Sequence, residues 1–401
     1  MTEATLTEAT PIASKNLALF LDGTWNTVNN NTNVWRAKSL CVKGGNQIAY
    51  YSQGVGTLFG QQFMGGAFGW GLDKEVTDAY EWLVEHYRPG DRIYLFGFSR
   101  GAYTARSLAG LISKLGLLRP GAPLSIDQLY ARYRLLKATR SIRELRRAAA
   151  EGDTTLTNEE RWLVTYSQAI PLWFLGVWDT VGALGLPFGD IPVVSRKQYR
   201  FLQTDLWIND DSAYHAMAVD EHRKAFAPTL FTWSHLRNDP SATGAFAFPT
   251  TDNVEQRWFV GAHANVGGGY NDDLLAQRPL QWLMAKAIHR DLRFDGTVTI
   301  DGDLHHAPIN DSFAEMAGGV YKLFHAGIPY YRPIGTVSSG PNDIAHNVVN
   351  ETIDASVFER WQKNATYRPK NLAQWAARNN VQLDGITGSV RADDPAVQVP
   401  D

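Results

Sequence analysis

The chain has 401 residues, 44% of them hydrophobic, and a formal net charge of -3. It is long enough to bury a large core, and a pI near 6.4 excludes the basic field that draws proteins onto nucleic acid. The single cysteine, Cys41, excludes internal disulfides and Cys-based metal sites and fits a reducing compartment.

Residues 1–16 are polar and lack the basic start and apolar run of a signal peptide. They read as a disordered tail, so the expected location is cytoplasmic, with any export by a route that needs no signal peptide. No run approaches the roughly 18 apolar residues of a membrane span. Residues 17–21 form an apolar run, read as a buried strand that stops at Asp22-Gly23-Thr24-Trp25. An Asn-rich loop over 26–33 leads to a helix near 34–40 and a strand over 47–51. Residues 54–71 interleave glycines with Phe59, Phe63, Phe68 and Trp70. This segment is either a flexible surface loop or a mobile wall beside an apolar pocket.

Over 72–87, Val76, Ala79, Tyr80, Leu83, Val84 and Tyr87 recur at helical spacing. An apolar strand follows over 92–98, then a helix over 100–114 with the small residues Ala102, Ala105 and Ala109. This alternation predicts an α/β fold: a mostly parallel central sheet with helices on both faces. Residues 119–169 break the rhythm and read as a helical cap insertion. Its arginines (132, 134, 140, 143, 146, 147) and Lys137 form a solvated face or, in the sharper reading, face an anion or a lipid. Downstream, strands are expected over 171–178, 226–233 and 257–261, a short helix over 211–219 and a helix over 274–290. Helical patches follow over 312–324, 355–362 and 372–377. The whole reads as one catalytic domain over 17–385 with a polar tail over 386–401.

Gly97-Phe98-Ser99-Arg100-Gly101 sits between an apolar strand and a helix with small residues. That is the context in which a strained strand-to-helix turn exposes a nucleophilic serine. The backbone N–H of Arg100 then lies at a helix N-terminus, placed for a developing oxyanion. A serine hydroxyl needs a base. On this fold the chain order is Ser, then an acid, then His. Asp179 ends one apolar strand and His263 follows another, so His263 is the expected base and Asp179 its orienting acid. Asp220 is the competing acid, and His215 is expected to hydrogen-bond within a helix or line the pocket. His222, His235, His289, His305 and His306 lie in polar or helical surroundings. The second oxyanion donor is expected from the N–H of Gly23 or Thr24. Asp22 either shapes that loop as an Asx-type turn or contacts substrate, an active-site residue or a cation.

Several segments resemble one α/β-hydrolase family, the one that includes type VI secretion phospholipase effectors. They are Leu-Phe-Leu-Asp-Gly-Thr-Trp-Asn at 19–26, Gly-Gly-Ala-Phe-Gly at 65–69 and Gly-Phe-Ser-Arg-Gly-Ala-Tyr-Thr-Ala-Arg at 97–106. Further matches are Gly-Val-Trp-Asp-Thr-Val-Gly at 176–182, residues 213–223, residues 263–270 and Tyr-Arg-Pro-Lys-Asn-Leu at 367–372. The resemblance implies a Ser-Asp-His esterase that cleaves acyl esters, in the best-known members those of phospholipids, with no metal or cofactor. It carries over Ser99 and His263 directly, and Asp179 with them. One position departs: the family pattern His-X-Asp-Val-Gly-Gly has Asn265 in place of its Asp. The expected substrate is thus a lipid or other small-molecule ester, reached by peripheral membrane contact if it is a lipid. The alternatives are an esterase for a polyester or acylated sugar, or a binding protein on a hydrolase scaffold. The sequence says nothing of oligomeric state.

Overall fold

The computed structural model describes residues 14–23, 30–54, 67–135, 138–181, 212–233, 250–315, 328–335, 338–339 and 345–401. Its centre is an eight-stranded sheet. The strands are β1 (Asn16–Leu21), β2 (Gln47–Ser52), β3 (Arg92–Phe98), β4 (Phe174–Trp178), β5 (Ala213–Ala218), β6 (Val254–Phe259), β7 (Glu351–Ile353) and β8 (Val390–Arg391). Their order is β2-β1-β3-β4-β5-β6-β7-β8. Every pairing is parallel except β7 with β8. The chain leaves β1 for β2 on one side and resumes with β3 on the other. The switch in strand order therefore falls at the carboxyl ends of β1 and β3, the usual place for a ligand in such a sheet.

Side chains alternate between the faces as strand geometry requires. Leu17, Leu19, Leu21, Ile93 and Leu95 join one core. This core is closed by α2 (Ala67–His86) through Val76, Ala79, Tyr80 and Leu83, and by α3 (Arg100–Leu115) through Ala102, Ala105 and Leu108. Ala18, Phe20, Tyr94 and Phe96 join the opposite core. There α1 (Asn33–Leu40) and α8 (Leu274–His289) cover the sheet with Val34, Ala37, Leu280, Leu283 and Met284. A third cluster around Trp258, Ile353 and Trp375 seats two further helices, α9 (Ala355–Lys363) and α10 (Lys370–Asn379). The fold is thus the α/β-hydrolase-like arrangement expected, with helices on both faces.

The insertion folds as α4 (Ile126–Arg134), α5 (Ile142–Ala150) and α6 (Asn158–Tyr166), each opened by a capping box. Its stem pairs Leu117–Leu118 with Ser167–Gln168, just past the end of α3 farthest from Ser99. At about 1.5 Å per residue that helix separates stem and serine by some 24 Å. The basic residues are largely spoken for. Arg132 meets Glu159 and Glu160, Arg140 meets Asp153 and Glu160, and Arg134 meets Asp73. Arg146 donates to the Ser167 carbonyl at 2.7 Å, and Lys137 lies outside the described residues. These pairs favour the plain surface reading of the arginines.

Three expectations change. In place of the helix expected over 211–219, the described residues 212–219 contain strand β5, buried along its whole length. Periodicity cannot separate so short a buried run from a helix, and its acidic start resembles a cap. In 226–233 only Thr232–Trp233 is strand, preceded by a 3-10 turn at Lys224–Phe226. The stretch 386–401, expected as a tail, instead holds β8. Val390, Ala392 and Val399 are buried, and Arg257 bonds the Pro400 carbonyl. Of the expected helix over 312–324, residues Ser312–Glu315 are helical and the remainder lies outside the described residues. The same holds for residues 1–13 and 55–66. No helix among the described residues is long and apolar enough to cross a membrane.

Candidate active site

Strand register brings the site together. Phe98 of β3 lies opposite Trp178 of β4, so the next residues, Ser99 and Asp179, leave adjacent strands at one level. The Ser99 N–H donates to the Trp178 carbonyl at 3.0 Å, and the Asp179 N–H to the Ala216 carbonyl at 2.7 Å. Both residues take positive φ, +58° at Ser99 and +36° at Asp179, a strained region for residues with a Cβ. Two strands on from β4, β6 leads into the short helix α7 (His263–Gly267), which begins with His263.

The turn at Ser99 depends on its glycines. A Cβ on Gly97 would lie 2.6 Å from the Ala102 nitrogen, and one on Gly101 would lie 2.6 Å from the Asp22 carbonyl oxygen. Gly101 thereby lets the end of β1 close against the start of α3. A Cβ on Gly267 would run into the ring of Phe98. Phe98 in turn packs beside the His263 imidazole, centroids 4.7 Å apart, and Phe226 meets it edge-on at 5.1 Å.

The polar geometry is continuous. Ser99 Oγ lies 2.8 Å from His263 Nε2, and His263 Nδ1 lies 2.5 Å from Asp179 Oδ2. Asp179 is fully buried. Its Oδ1 accepts the Ala218 N–H at 3.0 Å, and Arg332 forks onto both oxygens, Nη1 to Oδ1 at 2.6 Å and Nη2 to Oδ2 at 2.9 Å. Burial alone would raise the Asp179 carboxyl. Arg332 and the His263 bond override it and hold Asp179 well below the usual carboxylate range. Burial lowers His263, against the raising effect of Asp179. This arrangement pairs a hydroxyl with a neutral base whose second nitrogen is held by a carboxylate, the pattern of an activated nucleophile.

Other expected residues fall into distinct places. Asp220 is turned away from the imidazole bond: its Oδ2 accepts the Gly261 N–H at 2.7 Å and the Tyr367 hydroxyl at 3.1 Å. His215, on a strand rather than a helix, accepts the Thr180 N–H at Nε2, 3.0 Å away. Burial keeps it neutral down to about 3. Asn265 Oδ1 accepts the N–H groups of Ala262 (3.1 Å) and Asn310 (3.2 Å), while its Nδ2 donates to Asn310 Oδ1 at 3.0 Å. Asn265 therefore shapes the loop behind His263. Asp22 does the same on the other side. Its Oδ1 accepts the Gly23 N–H at 2.8 Å and its Oδ2 accepts Thr32 Oγ1 (2.5 Å) and Tyr51 OH (3.1 Å). The Gly23 N–H expected for an oxyanion is thus engaged by Asp22. Thr24 lies outside the described residues. Arg100 opens α3 directly after Ser99.

Sequence reasoning missed Arg332 and Glu221. Arg332 stands in Tyr-Tyr-Arg-Pro, which carries no motif. Glu221 is buried, accepts the His263 N–H at 3.2 Å and Ser312 Oγ at 2.9 Å, and is gripped by Arg223 at 2.8 Å. Burial would raise its carboxyl, but Arg223 brings it down to about 2. Among the described residues no cluster of His, Cys, Asp and Glu could hold a metal ion. A groove of about 1020 Å³ between α2 and α4, lined by Asp73, Glu81, Asp127 and Arg134 among others, includes none of the residues around Ser99.

A parallel sheet with this order, a strained serine after its third strand and His263 two strands beyond Asp179 define the α/β-hydrolase class. Within that class, the family model "T6SS, Phospholipase effector Tle1-like, catalytic domain" matches residues 15–286. The chain belongs to this family. It is 27% identical to the uncharacterized protein YEL023C of Saccharomyces cerevisiae over 239 residues, which is 55% of this chain and 33% of that protein. Among solved structures, an uncharacterized protein from Pseudomonas aeruginosa aligns with a TM-score of 0.38 and 17% identity, over 70% of this chain and 46% of that one. The Tle1 effector bound to the VgrG spike of the type 6 secretion system gives 0.32 and 15%, over 70% and 57%. The Est2 esterase of Thermogutta terrifontis, with butyrate bound, gives 0.33 and 12%, over 74% and 89%. The chain spans about a third of the yeast protein and about half of the first two solved chains.

Proposed function

We propose that this chain is a carboxylic ester hydrolase acting through Ser99, His263 and Asp179, with phospholipids or related lipid esters as its substrates. The observation that carries the reading is the unbroken path Ser99 Oγ–His263 Nε2–His263 Nδ1–Asp179 Oδ2, at 2.8 and 2.5 Å. Membership of a phospholipase effector family favours the lipid substrate.

In the proposed cycle the Ser99 hydroxyl gives its proton to His263 Nε2 as Oγ attacks the ester carbonyl carbon. The resulting oxyanion is met by the backbone N–H of Arg100. Asp179 stabilises the imidazolium. His263 then passes the proton to the departing alcohol oxygen, leaving an acyl group on Ser99. A water activated by His263 releases the acid and restores the hydroxyl. The cycle uses these side chains and water alone. In this reading the catalytic unit includes the C-terminal stretch that carries β8, since Val390, Ala392 and Val399 are buried in it.

The test is hydrolysis of p-nitrophenyl butyrate and of phospholipid vesicles by the parent and by Ser99→Ala, together with fluorophosphonate labelling. Expected is a loss of about 10³-fold or more in the variant, with labelling confined to the parent. Equal rates, or a parent that neither turns over esters nor takes the label, would overturn the reading. Turnover of acyl sugars or polyesters in preference to vesicles would remove the lipid assignment alone.

A further inference from the structure

We propose that Arg332 is the positioning residue of the site: its guanidinium holds Asp179 charged and aimed at His263, and so keeps the imidazole free to act as a base. The inference rests on the triad reading above.

Arg332 is completely buried. A guanidinium in that position is tolerated only when its charge is answered. Here the answer is Asp179, bound through both oxygens at 2.6 and 2.9 Å, in the fork geometry that fixes a carboxylate in direction as well as in charge. The same guanidinium donates to the Ala218 carbonyl at 2.9 Å and the Phe226 carbonyl at 2.5 Å. Ala218 supplies the other N–H on Asp179, and Phe226 places its ring against His263. One side chain therefore ties together the acid, the strand end beneath it and a wall of the imidazole. It comes from outside the span that the family model matches, residues 15–286.

The charges around the pair give the sign. Asp179 faces His263 from α7, Arg332 from the 328–335 loop and, across Thr180, His215 from β5. Glu221 and Arg223 lie beside His263 and neutralise each other, and Arg106 of α3 acts on His215. Asp179 and His263 share a hydrogen bond and titrate as a unit. Whichever of the two holds the extra proton, a cation beside them makes that proton easier to lose. Removing the Arg332 charge must then move the loss of that proton to higher pH.

The experiment compares the full chain with Arg332→Gln and Arg332→Lys. Two quantities are followed against pH: kcat/KM for p-nitrophenyl butyrate, and the His263 ring signals by NMR, identified by their absence in His263→Ala. For Arg332→Gln the acidic limb and the His263 titration should both rise by about one pH unit or more. Mere loosening of the fold would lower the rate without moving either. An Arg332→Gln chain that is folded yet titrates like the parent overturns the proposal. For Arg332→Lys, which keeps the charge but not the fork, the limb should stay at the parental pH while the maximal rate falls about tenfold or more. If Arg332→Gln does not fold, the Lys variant decides: a limb displaced by a pH unit, or full parental turnover, overturns the proposal. The NMR titration needs no substrate, so a parent without Ser99-dependent turnover would defeat the triad reading while leaving the Arg332–His263 coupling separately measured.

Discussion

The hydroxyl of Tyr367 and the N–H of Gly261 meet on a single oxygen of Asp220, at 3.1 and 2.7 Å. That oxygen is the brace of the loop in front of His263, whereas Asp179 touches the imidazole itself. The two carboxylates should therefore answer differently to the same change. Asp179→Asn is expected to lower kcat/KM by about 10³–10⁴-fold and, by leaving the buried Arg332 charge unanswered, to cost about 3–5 kcal/mol of stability. Asp220→Asn retains an acceptor for both donors and should cost less than about tenfold in rate. Steady-state kinetics on both variants decide the matter, and the reverse ranking would return Asp220 to the role of acid.

Burial places the His263 titration below the ordinary imidazole value of 6.5. A general base works when unprotonated, so kcat/KM should climb with pH through a midpoint below 6.5. The parental pH–rate profile checks this. A limb centred above pH 7 would mean that Asp179, rather than burial, dominates the imidazole.

The glycine at 101 should accept no side chain. Its neighbour is the backbone of Leu21 and Asp22, which cannot swing aside as a side-chain tip would. Gly101→Ala is expected to lose about 1–3 kcal/mol of stability and nearly all fluorophosphonate labelling. Thermal melts and gel fluorescence read the two effects. A stable, fully labelled variant would show that β1 and α3 need not meet so closely.

Glu351 offers a test away from the chemistry. Burial pushes its carboxyl up to about 7 from 4.5. Between those values the folded chain keeps a proton that the unfolded chain has released, so this group's contribution falls as pH rises through 7. The loss is up to about 3 kcal/mol. One oxygen, Oε1, accepts both the Gly335 N–H and Trp258 Nε1, each at 2.6 Å, and a glutamine can keep both bonds. Glu351→Gln should thus match the parent near pH 4.5 and exceed it in urea melts at pH 8. An offset independent of pH would count against the titration.

Much of this site was visible in the residues alone. Gly97 to Gly101, Asp179 and His263 sit where strands end, and strand ends announce themselves through apolar runs closed by turns. Asn265 was visible as a departure, and its bonds to Ala262 and Asn310 show a loop-shaping amide at work. What escaped was whatever depended on long-range packing. Strand β5 is buried on both faces and has no alternation to betray it. Val390–Arg391 is too short to carry a period. Arg332 has no local signature because its partner is 153 residues away, and only folding reveals that a buried acid needs a cation.

That separation has a consequence during synthesis. Ser99, Asp179 and His263 all leave the ribosome before Arg332, and domains begin to fold as they emerge. Until residue 332 arrives, Asp179 has no guanidinium to hold its charge in the interior. Ser99, Asp179 and His263 are thus made well before the guanidinium that pairs with Asp179 in the finished fold.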